Sequence, residues 1–86
     1  MENNNNITFE IIKTLAVLYK SEKGYTKEVN IISWNGAEPK LDIRAWKPDH
    51  NRCMKGLTLT EQEGRELMKA LVNLYQEIDK NTKNEP

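Results

Sequence analysis

The most regular pattern in the chain is Lys40-Leu41-Asp42-Ile43-Arg44-Ala45-Trp46, residues 40–46. Its polar and apolar side chains alternate strictly, which is typical of a β-strand that is buried on one side. One side of this strand is apolar, and the other side carries cations and a tryptophan. The stretch therefore predicts a sheet with one face on a core and one open, basic and aromatic face.

Three further strands are predicted around it, at residues 8–20, 25–34 and 54–59, because these runs are rich in β-branched and aromatic residues. Between the second and third strands, Asn35-Gly36 is a strong signal for a chain reversal. The sequence therefore predicts an antiparallel, four-stranded sheet.

A single helix is predicted to follow the sheet. The run Thr60-Glu61-Gln62-Glu63 forms a capping box, in which the threonine hydroxyl and the second glutamate satisfy each other's backbone N–H groups. The helix is expected to run from about residue 61 to 79. The fold class is thus α+β, in one domain at residues 7–79, between a disordered polar tail at 1–6 and a frayed tail at 80–86.

The helix carries two apolar stripes at three- and four-residue spacing, separated by roughly 100° around its axis. The first stripe can dock the helix on its own sheet, and the second needs another partner. A second copy of the chain is the simplest candidate, so we expect a homodimer. The first stripe comprises Leu67, Leu71, Leu74 and Ile78, and the predicted dimer interface comprises Met68, Val72 and Tyr75.

Composition favours a cytoplasmic protein, with association with the nucleoid left open. The single cysteine, Cys53, excludes a disulfide within the chain, and residues 1–6 lack the basic and apolar regions of a signal peptide. The formal net charge is zero, but residues 7–59 hold nine Lys and Arg against six Asp and Glu. Charge is therefore polarised toward the sheet, which is compatible with an anion-binding face.

Enzyme chemistry finds little support in the sequence. The four glycines stand alone, so no phosphate-binding loop is present, and His50 is the only histidine. His50 and Cys53 offer two metal ligands where zinc needs four. We therefore expect no catalysis, no cofactor, no metal and no small-molecule substrate, and we assign His50 to an ordinary loop position.

The open face of the third strand is the strongest candidate site. Single-stranded nucleic acid is held by cations along its backbone and by aromatic rings that stack on its bases. Lys40, Arg44 and Trp46 supply both along one strand. Trp34 and Asn30 of the second strand lie on the same face if that strand alternates in register. Either tryptophan is equally compatible with an ordinary core position.

The sequence also resembles a known family. The runs Leu41-Asp42-Ile43-Arg44-Ala45-Trp46 and Lys55-Gly56-Leu57-Thr58-Leu59-Thr60, followed by the capped helix, resemble the transcriptional coactivator positive cofactor four family. The runs Gly24-Tyr25-Thr26-Lys27-Glu28-Val29-Asn30 and Ser33-Trp34-Asn35-Gly36 resemble its bacterial, YdbC-like branch. The resemblance covers residues 9–78.

This resemblance implies a dimer whose two sheets form a basic, aromatic-lined groove for single-stranded DNA. On the matched positions, it implies phosphate contacts from Arg44 and Lys55 and base stacking on Trp34 and Trp46. Lys27 and Lys40 fit the same groove by position. The acidic, serine-rich regulatory region of the eukaryotic coactivator is missing, so a role in activated transcription is not implied.

The sequence thus predicts a non-catalytic, homodimeric protein that binds single-stranded DNA with low sequence specificity, in transcription, replication or repair. Two alternatives stay open: a binder of single-stranded RNA, which shares the same contacts, and a protein-interaction or dimerisation module. Exposed tryptophans would favour a nucleic-acid binder, and buried tryptophans would favour an interaction module.

Overall fold

The computed structural model describes residues 7–83. Its elements are, in chain order, β1 (Phe9–Lys20), β2 (Thr26–Trp34), β3 (Lys40–Trp46), β4 (Cys53–Leu59) and α1 (Glu61–Lys83). The predicted fold class, a four-stranded antiparallel sheet followed by one helix, is confirmed. The helix continues to Lys83, so residues 80–83 of the predicted frayed tail at 80–86 are helical. The predicted tail at 1–6 and the rest of the tail at 80–86 lie outside the described residues.

The four strands lie in chain order, so β1 and β4 are the edges. The β2–β3 turn at Asn35-Gly36 has positive φ at both central residues, 52° and 76°, and Ala37 N–H donates to the Trp34 carbonyl over 2.8 Å. This is the geometry of a type I′ turn, which matches the twist of a hairpin and favours Asn-Gly.

Register divides the two central strands into two faces, because their pairing is continuous. The polar face consists of Thr26, Glu28, Asn30, Ile32 and Trp34 of β2 with Lys40, Asp42, Arg44 and Trp46 of β3. The helix face consists of Lys27, Val29, Ile31 and Ser33 of β2 with Leu41, Ile43 and Ala45 of β3.

Strand β1 departs from the expected two-residue period. Its register against β2 shifts at three places, between Ile11 and Lys13, Thr14 and Ala16, and Val17 and Tyr19. Each bulge adds an unpaired residue and increases the local right-handed twist and bend. The sequence does not reveal these shifts, because apolar residues occupy both sides of the strand.

The sheet curls strongly around its polar face. Phe9 pairs with Trp34 at one end of β2, yet its ring centroid lies 5.2 Å from that of Trp46, which pairs with Thr26 at the other end. Eight residues separate Trp34 from Thr26, or about 27 Å in a flat strand. The rings can meet only because the sheet wraps around them.

The helix begins at the predicted capping box. Thr60 N–H donates to Glu63 Oε1 over 2.9 Å, and Glu63 N–H donates to Thr60 Oγ1 over 3.1 Å. Glu61 and Glu63 add negative charge at the positive end of the helix dipole. These bonds fix the direction in which the chain leaves β4. From there, α1 runs across the sheet on the side named the helix face.

Only the first turns of α1 pack on the sheet. One groove of about 310 Å³ between α1 and the helix face is lined by Gly64, by Leu67 and Leu71 of the first stripe, and also by Met68 and Val72 of the second. The helix contacts β3 and β4. The expectation that the first stripe docks on its own sheet holds for Leu67 alone, because Leu71, Leu74 and Ile78 stay 43%, 47% and 44% exposed. The helix extends beyond the sheet that should cover it.

The described chain buries few apolar side chains. In residues 7–81, Ile32 and Trp46 are the two hydrophobic residues in the fully buried class. Large apolar side chains on β1 and α1 remain exposed, and they include Leu15, Val17, Leu18, Met68, Val72 and Tyr75. Among the described residues, no helix combines the length and the apolar character that crossing a membrane requires.

Gly56 is required by a close approach of β4 to β3. A Cβ atom at Gly56 would overlap the Cβ of Arg44 and lie 2.5 Å from the Ile43 carbonyl oxygen. Because these atoms belong to the backbone or to its first side-chain carbon, they cannot move aside cheaply. We expect Gly56→Ala to lower the free energy of unfolding by about 3 kcal/mol or more, measured by denaturant unfolding.

Gly64→Ala provides the matched control. Its Cβ would lie 3.1 Å from Leu41 Cδ2, the flexible end of a side chain, and alanine favours the helix. This variant should change the free energy of unfolding by no more than about 1 kcal/mol. Equal stability of Gly56→Ala and the wild type would contradict the close approach.

Candidate nucleic-acid interface

The polar face holds charged and polar groups that are buried in the curl of the sheet. Asn30 and Asp42 are fully buried, and Glu28 and Thr26 are 4% and 7% exposed. Buried charges are costly unless they are paired and hydrogen-bonded. These groups therefore form two connected clusters, one on each central strand.

Asp42 and Arg44 form the first cluster. Arg44 Nε and Nη2 donate to the two carboxylate oxygens of Asp42 over 2.6 and 2.8 Å. Arg44 Nη1 donates to the Met54 carbonyl over 3.0 Å, and Thr58 Oγ1 donates to Asp42 over 2.9 Å. The hydrogen bonds to Asp42 raise the pKa of the Arg44 guanidinium, against the opposing effect of its burial.

Arg44 also covers an aromatic ring. Its guanidinium carbon lies 4.7 Å from the ring centroid of Trp34, a distance typical of a cation–π contact. The Arg44 side chain is 13% exposed. The predicted placement of Arg44 on a face with Trp34 is therefore correct, but its charge is already matched by Asp42.

Glu28 forms the second cluster. Its carboxylate accepts hydrogen bonds from Thr26 Oγ1 over 2.7 Å and Asn30 Nδ2 over 3.1 Å, and it lies 2.7 Å from His50 Nε2. Burial by itself raises the pKa of this carboxyl group. The hydrogen bonds from Thr26, His50 and Asn30, together with the charge of His50, outweigh burial and lower the pKa of Glu28 below its ordinary 4.5.

Four rings form a continuous aromatic row across the polar face. The centroid of Phe9 lies 5.6 Å from Trp34 and 5.2 Å from Trp46, and the centroid of His50 lies 5.5 Å from Trp46. Trp46 is fully buried, whereas Phe9, Trp34 and His50 are partly exposed. The accessible rings are therefore the three that surround Trp46.

The predicted open face is in fact largely closed. Trp46 and Asn30 do lie on the face predicted for them, but both are fully buried, so the expectation that they are exposed to a ligand is wrong. The curl of the sheet and the loop between β3 and β4 cover them. Strand alternation predicts which face a residue occupies, but it does not predict how the sheet curls.

Two of the predicted cations, Lys40 and Lys55, are exposed on β3 and β4. Lys40 is exposed at the start of β3 and pairs with Ile32, next to Trp34 along the polar face. Lys55 is exposed where the register of β4 shifts, between the Arg44–Gly56 and Trp46–Cys53 pairs.

Lys27 lies apart from this group. It is exposed on the helix face, and its Nζ is 6.0 Å from the centroid of the Tyr19 ring. The structure thus does not bring Lys27 together with Trp34 and Arg44. Phe9 and His50 belong to the row but were not predicted from the sequence. The rings that Phe9 contacts, Trp34 and Trp46, are on other strands, far away in the chain. His50 stacks on Trp46 only because the loop between β3 and β4 folds back onto the sheet.

The lowered pKa of Glu28 predicts a pH dependence. Because the folded-state pKa lies below the ordinary value of 4.5, the ionised carboxylate stabilises the fold at neutral pH, and that stability is lost as pH falls below 4.5 through the lowered pKa. We expect Glu28→Gln to reduce the slope of the free energy of unfolding against pH in this acid range by up to about 1.4 kcal/mol per pH unit. Denaturant unfolding at several pH values and one protein concentration measures the effect.

Glu22→Gln is the control for this prediction, because Glu22 is an exposed glutamate in the β1–β2 turn. Below pH 4.5, its free energy of unfolding should depend on pH as steeply as that of the wild type. If both variants gave the same slope, the Glu28 cluster would not be the source of the acid sensitivity.

Comparisons with known proteins agree with this geometry. A family model described as Transcriptional Coactivator p15 (PC4) matches residues 21–70, which is more than half of the chain. An uncharacterized protein of Treponema pallidum (strain Nichols) is 42% identical over 60 residues, which cover 70% of this chain and 71% of that relative. The matched region runs from the β1–β2 turn through the first turns of α1, so it includes most of both clusters and of the aromatic row. The chain therefore belongs to the transcriptional coactivator p15 (PC4) family, a non-enzymatic family of DNA-binding coactivators.

Proposed function

We propose that this protein is a homodimeric, non-catalytic binder of single-stranded DNA with low sequence specificity, which serves transcription, replication or repair in the cytoplasm or at the nucleoid. The observation that carries the proposal is the aromatic row with lysines beside it. Membership in a family of DNA-binding coactivators supports it.

The surface chemistry favours single strands over duplex. Stacking on a ring needs an unpaired base. Trp46 is buried, so of the two tryptophans only the partly exposed Trp34 can meet a base, beside the Arg44 guanidinium that lies over its ring. The tryptophans alone therefore do not separate this proposal from the interaction module, and family membership favours DNA. Lys40 and Lys55 supply charges for the phosphates. Hydrogen bonds to base edges are not needed for this mode of binding, so sequence preference should be weak.

Arg44, Trp46, Asn30 and Lys27 have a smaller part in this proposal than the strand pattern predicts for them. Arg44 and Trp46 stabilise the curled face from within, and a strand of DNA meets Arg44 only at the edge of its guanidinium. Asn30 orients Glu28 through its side-chain amide. Lys27 lies on the helix face, opposite the proposed DNA-binding face, so the proposal gives it no contact with DNA.

The homodimer is proposed from the exposed apolar surface. Conformational entropy costs about 1–2 kcal/mol for each ordered residue, and a domain offsets this cost by burying apolar side chains. Here Met68, Val72 and Tyr75 are 46–55% exposed on α1. The Cα radius of gyration is 16.7 Å, whereas a compact 86-residue domain has about 12 Å. A second copy that packs on α1 would supply the missing core.

Binding can be tested by fluorescence anisotropy with a labelled single-stranded oligonucleotide and with duplex of the same sequence. We expect the single strand to bind more tightly. Lys40→Ala and Lys55→Ala should each flatten the plot of log affinity against log salt by about 0.7 for every phosphate that the variant no longer neutralises, because fewer counterions are released.

Lys69→Ala is the matched control for the lysine variants. Lys69 is an exposed lysine on α1 that pairs with Glu66 over 3.1 Å, away from the polar face. Its salt slope should equal that of the wild type. Equal affinity for single strand and duplex would refute the stacking part of the proposal. Tighter binding of single-stranded RNA would assign the same contacts to RNA, and no binding of either would leave the protein-interaction alternative.

The dimer can be tested by light scattering or sedimentation at micromolar concentration. Val72→Asp places a charge in the centre of the second apolar stripe, and we expect it to yield monomers or unfolded chains. Asn73→Asp introduces the same charge at the neighbouring residue, which lies about 100° further around the helix axis and outside both apolar stripes. It should leave the dimer intact, and a monomeric wild type would refute the interface.

A further inference from the structure

The two sides of the His50 ring lie in different surroundings. One side stacks on the buried Trp46, with the centroids 5.5 Å apart and the ring planes at 23°. The His50 side chain is nevertheless 37% exposed. Because Trp46 covers the inner side, this exposure belongs to the outer side of the ring and to its edge.

The ring is held in this position by several contacts. Its Nε2 lies 2.7 Å from Glu28 Oε2, a carboxylate that is itself oriented by two other hydrogen bonds. The His50 N–H donates to the Lys47 carbonyl over 2.9 Å. His50 has a φ of 59°, a left-handed conformation in which histidine is enriched. The loop is thus folded back onto the sheet so that the ring lies flat on Trp46.

The loop between β3 and β4 is also anchored and basic. Lys47 N–H donates to the Arg52 carbonyl over 3.4 Å, which closes the loop at its base. The acidic residue of the loop is Asp49, and its carboxylate accepts hydrogen bonds from the backbone N–H and the side-chain amide of Asn51 over 2.9 and 3.2 Å. The cations of Lys47 and Arg52 therefore lie on either side of His50 in the chain, and the acidic side chain of the loop is engaged locally.

A flat, partly exposed ring that several contacts hold in place, in a loop with two cations, has the properties of a base-stacking platform. Stacking on a ring that is already fixed costs little conformational entropy, since the loop is ordered before the ligand arrives. Trp46 contributes its large aromatic surface from beneath, although the ligand does not touch it. An imidazole, like the larger rings, can stack on an unpaired base.

We propose that the outer face of His50 is a stacking platform for one unpaired base of a single-stranded nucleic acid, with Lys47 and Arg52 beside the flanking phosphates. This inference rests on the proposed function and adds a contact residue to it. The competing explanation is that His50 has a structural role only, and packs on Trp46 without contacting a ligand. If the role is structural only, substitution of His50 changes the stability of the protein but not its affinity for DNA. If the ring is a platform, substitution lowers the affinity of the folded protein.

Three substitutions of His50 separate these roles in the full-length chain. His50→Asn removes the ring and tolerates the left-handed backbone. His50→Gln removes the ring but keeps an amide that can reach Glu28. His50→Phe keeps a ring that cannot hydrogen-bond to Glu28. Affinity for a fluorescein-labelled oligothymidylate is measured by anisotropy, at temperatures where thermal melts show that every variant is folded.

We expect His50→Asn and His50→Gln to weaken binding between about 5-fold and 150-fold, the range that the loss of one stacked base corresponds to. His50→Phe should bind close to the wild-type affinity. Lys69→Ala, on α1 and away from the polar face, is the control and should bind like the wild type.

The outcomes distinguish the platform from the proposed function. If the wild type binds oligothymidylate and His50→Asn and His50→Gln bind equally well, the platform is refuted and the proposed function stands. If His50→Phe is weakened as much as His50→Asn, the hydrogen bond to Glu28 matters instead of the ring, and the platform is again refuted. If the wild type itself does not bind, both proposals fail together.

Discussion

The bidentate ion pair between Asp42 and Arg44 connects the parts of the sheet to one another. It lies on β3, but its remaining bonds go to β4 through the Met54 carbonyl and the Thr58 hydroxyl, and the guanidinium covers Trp34 of β2. Removing one partner of such a pair would leave an uncompensated buried charge, which typically costs about 3–5 kcal/mol. The fold therefore depends on both partners together.

A close approach of β4 to β3 beside this pair is a second constraint. The Arg44 backbone and Cβ leave no room for a side chain on β4 at the facing position, so glycine occupies position 56. The ion pair also explains why the polar face can be polar and still buried. Its charges are satisfied within the sheet, and the curl closes over them. A ligand on this face would consequently meet the exposed lysines and the outer rings, and it would not meet the buried carboxylates.

The polar face of the sheet and the helix α1 differ in how they are stabilised. The polar face is held by hydrogen bonds and by aromatic contacts within one chain. The helix face and α1 display apolar residues that one chain leaves exposed, and Leu74 and Ile78 extend beyond the sheet. The proposed homodimer accounts for this imbalance, because a second copy covers apolar surface that water would otherwise meet. The proposed DNA-binding face remains free in that arrangement, since it lies on the opposite side of the sheet.

The sequence by itself determined the elements, their order and which residues of β2 and β3 share a face. Local chemistry was sufficient for these features: strict alternation defined β3, Asn35-Gly36 defined the hairpin, and Thr60 with Glu63 defined the start of the helix. Only the tertiary structure decided how deeply each residue is buried. The bulges of β1 curl the sheet, and this curl buries Trp46 and brings Phe9 against it. Glu28 and His50 are twenty-two residues apart, so their contact depends on the path of two strands and a loop, which no local pattern encodes.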